Sequence, residues 1–338
     1  MTGRGVSAAG KGCALCPRAC GTDRAARAGF CGETDELRVA VACLHFGEEP
    51  LLTVHGGSGT VFLAGCNLRC AFCQNYQISQ KGMGRAVSKS EFADICLRLE
   101  DAGAENINIV TGSHHVAAVA EGLREAKRRG LSVPVCWNSS GYDSVESLAL
   151  LDGLVSIYLP DLKTLSSPLA ERLCAADDYP AVAKTAISWM ISAHPLSIVE
   201  TEKEGARKEK IMGGVIVRHL FLPGRFPETA DVLGWLKENA DGKAVVSLMS
   251  QYTPVPFKEG GEERLRRERA LSAMENRLVS ERDDRDLRDL VEAYRFGYLF
   301  YQDLCADTEW LPDFEREQPF SCALAKPVWH WKSGFVRP

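Results

Sequence analysis

GTVFLAGCNLRCAFCQNYQIS, residues 59–79, sets a strand directly ahead of three cysteines. Residues 59–64 (GTVFLA) have the β-branched, aromatic and apolar composition of a buried strand. Cys66, Cys70 and Cys73 follow with C-x3-C-x2-C spacing. Thiolates so close in sequence converge on one metal centre when the backbone between them loops round it. Three of them leave a place open on a four-iron cubane, whose cysteine-ligated form takes four. An open iron at the C-terminal end of a strand lies where barrel enzymes keep their chemistry. Spacing alone also admits zinc with a distant fourth ligand, or three core thiols.

Outward from this loop, β-rich runs alternate with amphipathic segments, the pattern of βα units on a parallel sheet. Further strands are expected at 106–111, 133–137, 154–159, 214–222 and 244–249. Helices are expected between them. In 88–102, Ser88 and Glu91 suit a capping box, while Phe92, Ile95 and Leu99 form an apolar stripe. Residues 115–129 read as a helix closed by Gly130, and 228–239 as another. Six strands with such helices predict an α/β fold, a partial (β/α)6 barrel; a doubly wound open sheet is the competing architecture. The run 199–210 reads as a solvated insertion, and 258–295 as charged surface helices or an electrostatic docking patch. The tail 296–338 is aromatic and irregular, and is expected to pack on the core. Three regions result: a cysteine-rich metal-binding leader (1–45), a catalytic core (46–257) and a C-terminal extension (258–338).

The leader carries Cys13, Cys16, Cys20 and Cys31. Four thiolates suit a closed zinc site or a fully ligated iron–sulfur cluster, and so small a segment needs such a staple. Cys43, Cys96, Cys136, Cys174, Cys305 and Cys322 look isolated, with Cys96 and Cys136 in core contexts.

The chain has 338 residues, 45% of them hydrophobic and 25% charged, an ordinary globular composition. Its net charge of −5 gives no reason to expect nucleic-acid binding. No apolar run is long enough to span a membrane, and MTGRGVSAAGKG lacks the apolar middle of a secretory signal. Thirteen cysteines without such a signal point to metal ligation in a reducing cytoplasm.

C-x3-C-x2-C with an aromatic residue, Phe72, before the last Cys resembles the radical S-adenosylmethionine (SAM) signature. Cys73-Gln74-Asn75 resembles the Cys-His-Asn of pyruvate formate-lyase activating enzymes. Together CALCPRAC with FCG, GCNLRCAFCQNYQIS, NINIVTGSHH, NSSGY, YLPDLK, VRHLFLP and SQYTP resemble a little-characterised subgroup related to those enzymes. The resemblance, spanning roughly 58–255, implies an oxidoreductase whose 4Fe–4S cluster, on Cys66, Cys70 and Cys73, chelates SAM. Reductive cleavage then gives a 5′-deoxyadenosyl radical that abstracts hydrogen from a protein or peptide, with glycyl radical enzyme activation as the nearest analogy. A small metabolite or modified peptide is an alternative substrate; a non-catalytic iron–sulfur electron-transfer protein is an alternative function. An electron donor such as a flavodoxin or ferredoxin is implied as partner.

The same resemblance implies SAM contacts. Asp161 and Lys163 look like the Asp-x-Lys of activating enzymes, or form a plain surface turn. Arg218 stands where an arginine meets SAM's carboxylate, a bidentate match that Lys cannot copy, or it pairs with a barrel carboxylate. Asn75 and Asn138 complete the set. Activating enzymes carry Gly-Gly-Glu after the second strand; here Thr111 and Ser113 are the polar groups at that place, with no acid. His114 and His115 are pocket residues or helix-entry structure. Gln251 and Tyr252 face the substrate or are satisfied by backbone.

Overall fold

A computed structural model of the chain describes residues 12–203, 205–304 and 310–336. Most of the opening segment MTGRGVSAAGKG, and Cys305, lie outside these residues. The strands in chain order are β1 Arg38–His45, β2 Ser58–Leu63, β3 Arg85–Ala86, β4 Ile107–Val110, β5 Val135–Ser139, β6 Ile157–Pro160, β7 Ser197–Lys203, β8 Ala206–Leu220, β9 Val245–Met249, β10 Leu299–Gln302, β11 Ala325–His330 and β12 Gly334–Phe335. The helices are α1 Tyr76–Ser79, α2 Lys89–Asp101, α3 Val116–Arg128, α4 Val145–Leu148, α5 Ser167–Cys174, α6 Tyr179–Ala193, α7 Phe226–Asn239, α8 Gly261–Leu271 and α9 Glu281–Tyr294.

The sheet runs β10-β9-β8-β6-β5-β4-β2-β1-β11-β12. From β2 to β10 every neighbouring pair is parallel, so each return of the chain needs a crossover, and helices supply it. The expected caps explain where two of them begin and end. Ser88 accepts the Glu91 N–H at 3.1 Å ahead of α2, whose Phe92, Ile95 and Leu99 are buried. After α3 the chain turns at Gly130, with φ +110°.

Side-chain alternation gives the sheet two dissimilar faces. Trp137, Tyr158, Val217 and Val246 pack outward in the large core shared with Phe92, Leu123, Ile187 and Leu233 of the helices. Cys136, Ile157, Leu159, Ile216 and Val245 point inward and close over Leu51 and Leu52 from the β1–β2 connection. One ring of residues from β2, β4, β5, β8, β9 and β10 lines a single cavity at their C-terminal ends. A flat sheet would not bring those ends together. The strand path nevertheless ends at β10 and β12 without joining: the sheet curls into a partial barrel.

Three expectations change. Residues 38–45, assigned to the leader, form β1 and pair antiparallel with β2. Their run RVAVACLH is buried on both faces and so shows no alternation. The insertion at 199–210 is a β-hairpin of β7 and β8 turning at Gly205, φ +80°. The C-terminal extension does more than pack on the core: β10 extends the parallel run beside β9, and β11 pairs with β1. The divisions at 45/46 and 257/258 therefore separate strands of one sheet. No helix among the described residues is long and apolar enough to cross a membrane.

Candidate active site and metal centre

The three-cysteine loop leaves β2 through Gly65 and ends in α1. Inside it, the Leu68 N–H reaches the Cys66 Sγ at 3.3 Å, the Cys73 Sγ lies 3.3 Å from the Ser79 Oγ, and Gln80 Nε2 donates to the Cys70 carbonyl at 2.9 Å. Burial pushes the Cys73 thiol up to about 11 and raises Cys66 as well. Thiolates in such a place need a cationic centre to hold them, which is what a metal cluster supplies. Among the described residues no three His, Cys, Asp or Glu side chains are gathered as for a single ion. A cubane asks for something else, because each thiolate binds its own iron, and three thiols on one loop suit it.

Cys70, Phe72, Cys73, Gln74 and Asn75 face a cavity of about 330 Å³. Opposite them stand Asn138, Asp161, Lys163 and Arg218. Lys163 Nζ donates to Asp161 Oδ2 at 2.7 Å, and Arg218 Nε to Asp161 Oδ1 at 3.1 Å. Arg218 Nη2 donates to Asn138 Oδ1 at 2.6 Å. Burial works to raise the Asp161 carboxyl, but Lys163 and then Arg218 outweigh it and hold it below its ordinary value. The ammonium and guanidinium are correspondingly raised by Asp161, against their own desolvation.

Glu48 completes this network and was not among the residues singled out from sequence. It sits 3.8 Å from Arg218 Nη1, accepts from Asn108 Nδ2 at 3.1 Å, and lines the cavity. Burial raises both Glu48 and its neighbour Glu49 despite Arg218. The signal that could have found them is β1, whose end they follow, and that strand was hidden by its unbroken apolar run. Cys174 was also missed. It closes α5, its carbonyl accepts from Arg69 N at 3.1 Å, and its thiol is in hydrogen-bonding contact with Cys70. Were Cys70 to bind a metal as thiolate, Cys174 S–H would be the group to donate in that contact. Nothing local marks a cysteine a hundred residues from the loop.

Of the expected SAM contacts, Phe72, Asn75, Asn138, Asp161, Lys163 and Arg218 share the cavity, while Thr111 and Ser113 do not line it. Thr111 takes φ +61° and donates its N–H to the Asn138 carbonyl at 2.8 Å. Ser113 turns instead to the buried Asp143, which Ser139 Oγ also meets at 2.5 Å. His114 and His115 are buried at the helix entry, where His114 Nε2 lies 2.7 Å from the Ala64 carbonyl and Arg24 bonds the His114 carbonyl. Gln251 lines the cavity, whereas Tyr252 is buried against Asn276 at 2.5 Å. Cys96 and Cys136 are core residues.

Among the described residues the leader's four thiols are not gathered as a single-ion cage, but Cys20 and Cys31 both lie beside Gly29. A Cβ on Gly29 would lie 3.3 Å from the Cys20 Sγ and 3.7 Å from the Cys31 Sγ. Burial pushes Cys16 up to about 11, while for Cys20 burial is outweighed by hydrogen bonds, Thr22 foremost and Cys13 among them, bringing it down to about 7. The leader docks directly on the three-cysteine loop. Cys66 N–H donates to the Cys31 carbonyl at 3.2 Å, Arg18 Nε to the Asn67 carbonyl at 2.8 Å, and Arg69 Nη2 to the Phe30 carbonyl at 2.9 Å.

Gly65 is the pinch point, at φ +76°, where an added Cβ would fall 2.3 Å from Glu33 Cγ and 2.9 Å from the Cys31 carbonyl oxygen. Gly65→Ala is therefore expected to cost about 2–4 kcal/mol from left-handed strain and overpacking together. Urea unfolding measures it, and a loss below about 0.5 kcal/mol would show that the leader yields at this contact.

Residues 60–195 match the Radical SAM superfamily profile, a span that holds the three-cysteine loop, Asn138, Asp161 and Lys163. A relative from Methanocaldococcus jannaschii, the uncharacterized protein MJ0674, is 31% identical over 254 residues, 72% of this chain and 67% of that protein. Among solved structures, SuiB of Streptococcus suis bound to S-adenosylmethionine is similar with a TM-score of 0.46 and 13% identity, over 70% of this chain and 48% of that one. The chain thus spans about half the length of SuiB. A domain of pyruvate-formate lyase-activating enzyme from Bacteroides vulgatus is similar with a TM-score of 0.37 and 11% identity, over 56% of this chain and 92% of that one. With the profile lying across the loop and the strands that face it, and with a relative matched over two thirds of its length, the chain belongs to the radical SAM superfamily.

Proposed function

We propose that the chain reductively cleaves SAM at a 4Fe–4S cluster held by Cys66, Cys70 and Cys73, and directs the 5′-deoxyadenosyl radical at a protein or peptide. The observation that carries this reading is one cavity with cluster thiols on one wall and Asn138, Asp161, Lys163 and Arg218 on the other. When bound, the cluster supplies the electron that breaks a C–S bond of SAM, chemistry no side chain can perform. The residues hold and orient. SAM's methionine end carries an ammonium and a carboxylate; Asp161 and Glu48 suit the first, Lys163 and the fork of Arg218 the second. Arg218 is already clamped by Asp161 and Asn138, so little rotamer freedom is lost on binding. Phe62, Phe72, Val110, Leu220, Leu222 and Met249 give the cavity an apolar wall that keeps water from a reactive radical.

Activation of a glycyl radical enzyme is the nearest analogy for the substrate. A second reading, a small metabolite or a modified peptide, is favoured by Trp310, Pro312, Phe320 and Leu324, with which the C-terminal extension adds to the cavity lining. The leader thiols are read as a second metal centre, zinc or iron–sulfur, in a cytoplasmic enzyme.

Electron paramagnetic resonance of anaerobically reconstituted, dithionite-reduced protein, with and without SAM, tests the proposal. The expected result is a reduced-cluster signal that changes on adding SAM, with iron and zinc analysis identifying the leader's metal. A signal indifferent to SAM would instead favour a non-catalytic electron-transfer protein.

A further inference from the structure

The three-cysteine loop has two sides. Cys70, Phe72 and Cys73 face the cavity, while Arg69 and Ala71 face a surface groove behind it. Gln80, bonded to the Cys70 carbonyl, and Ala175, next to Cys174, form the rest of the groove's floor. The loop is thus a thin wall between the chemistry and the outside. The groove's rim comes from α5 and α8 and carries Arg172, Arg266 and Arg269, all exposed.

The charge of this groove is opposite to that of the chain. Five arginines line it against one carboxylate, Glu171, in a protein of net charge −5. Arg267 is spent locally, paired with Glu259 at 2.7 Å and bonded to the Ala71 carbonyl at 3.1 Å. Among the described residues, Arg69, Arg172, Arg266 and Arg269 have no ion-pair partner. Two of the three acids of α8 pair elsewhere, Glu263 with Lys81 at 2.8 Å and Glu268 with Arg264 at 2.7 Å, and the third, Glu262, does not line the groove. Arg69 and Arg172 are held by the Phe30 and Arg269 carbonyls, and with Arg266 and Arg269 they face the single carboxylate of Glu171, so the groove keeps a positive charge that an acidic partner would complement.

We propose that this groove docks a small acidic one-electron carrier protein and is the entry for the electron that the proposed cleavage requires, an inference resting on that reading. Its floor is the backbone flanking Cys70, so a carrier seated there stands directly behind the cluster loop. A substrate has no use for this side, because the reacting atoms lie across the loop. In the transfer the carrier loses one electron and the centre held by Cys66, Cys70 and Cys73 gains it; no bond forms or breaks. Electrostatic steering draws the acidic face of the carrier onto the arginines, so the association weakens as salt rises.

The test uses the reconstituted full chain, the double variant Arg266→Glu/Arg269→Glu and the neutral Arg266→Gln/Arg269→Gln. Both positions are exposed, and circular dichroism checks that the variants are folded. Formation of 5′-deoxyadenosine is driven by dithionite in one arm, and by a reduced flavodoxin or a reduced ferredoxin of net negative charge in the other. The expected result is a fall of about tenfold or more in the carrier-driven rate of the Glu variant, with an intermediate fall for the Gln variant. The dithionite-driven rate should stay within about twofold of the unmodified chain. A carrier-driven rate that survives charge reversal overturns the proposal. If neither reductant yields cleavage in the unmodified chain, the functional reading fails, and the groove is judged by binding alone. Salt-sensitive binding of the oxidised carrier, lost in the Glu variant, supports the groove; no such binding, or tighter binding of a single-stranded RNA, overturns it.

Discussion

Cys70→Ala should yield no 5′-deoxyadenosine above background and should lose the iron held by the three-cysteine loop, about four per chain for a cubane. Two thiolates on a short loop cannot hold a four-iron centre that already leaves one iron to an outside ligand. A metal held by Cys13, Cys16, Cys20 and Cys31 should remain, because the leader touches the loop through backbone and arginine contacts rather than through Cys70. Cys174 stands against Cys70 and is the thiol placed to fill the vacated position. The double variant Cys70→Ala/Cys174→Ala closes that route. Metal analysis and product assay read both variants; iron content and cleavage that survive in the double variant would show that the ligand set is wrong.

Arg218→Ala should weaken SAM binding by about tenfold to a hundredfold and cost about 3–5 kcal/mol of stability. The second figure follows from what the guanidinium leaves behind. Asp161, Glu48 and Glu49 surround it, and of these three carboxylates Asp161 alone would keep an ammonium partner, Lys163. Arg218→Lys separates the two effects. A lysine restores a charge to the network and so much of the stability, but it lacks the fork that meets Asp161, Asn138 and a carboxylate at once, so the loss in SAM affinity should persist. Equilibrium binding to the reconstituted protein and urea unfolding report the two quantities independently. An unchanged affinity in Arg218→Ala would make the residue structural.

The site was legible in the sequence where short-range order determines it. The loop from Cys66 to Cys73 is local, and Asn138, Asp161 and Arg218 stand at or just beyond the ends of strands that their neighbours announce. Once those strands are parallel and adjacent, their C-terminal ends share one mouth, and the polar residues there meet. Thr111 and Ser113 fail by the same geometry. A residue's distance from the strand end fixes where it falls but not which way it turns, and Asp143, buried behind the strand, draws Ser113 away.

The sequence by itself determined the α/β class, the alternation of parallel strands with helices, and the three-cysteine loop, because each follows from patterns a few residues long. Tertiary structure alone decided that β1, β10 and β11 join the sheet, that Glu48 and Glu49 surround Arg218, and that Cys174 touches Cys70. It also decided that arginines from α5 and α8 meet behind the loop. The physical reason is shared. A strand buried on both faces carries no alternation, and a contact across a hundred residues is set by packing and pairing, whose energy no local window of sequence contains.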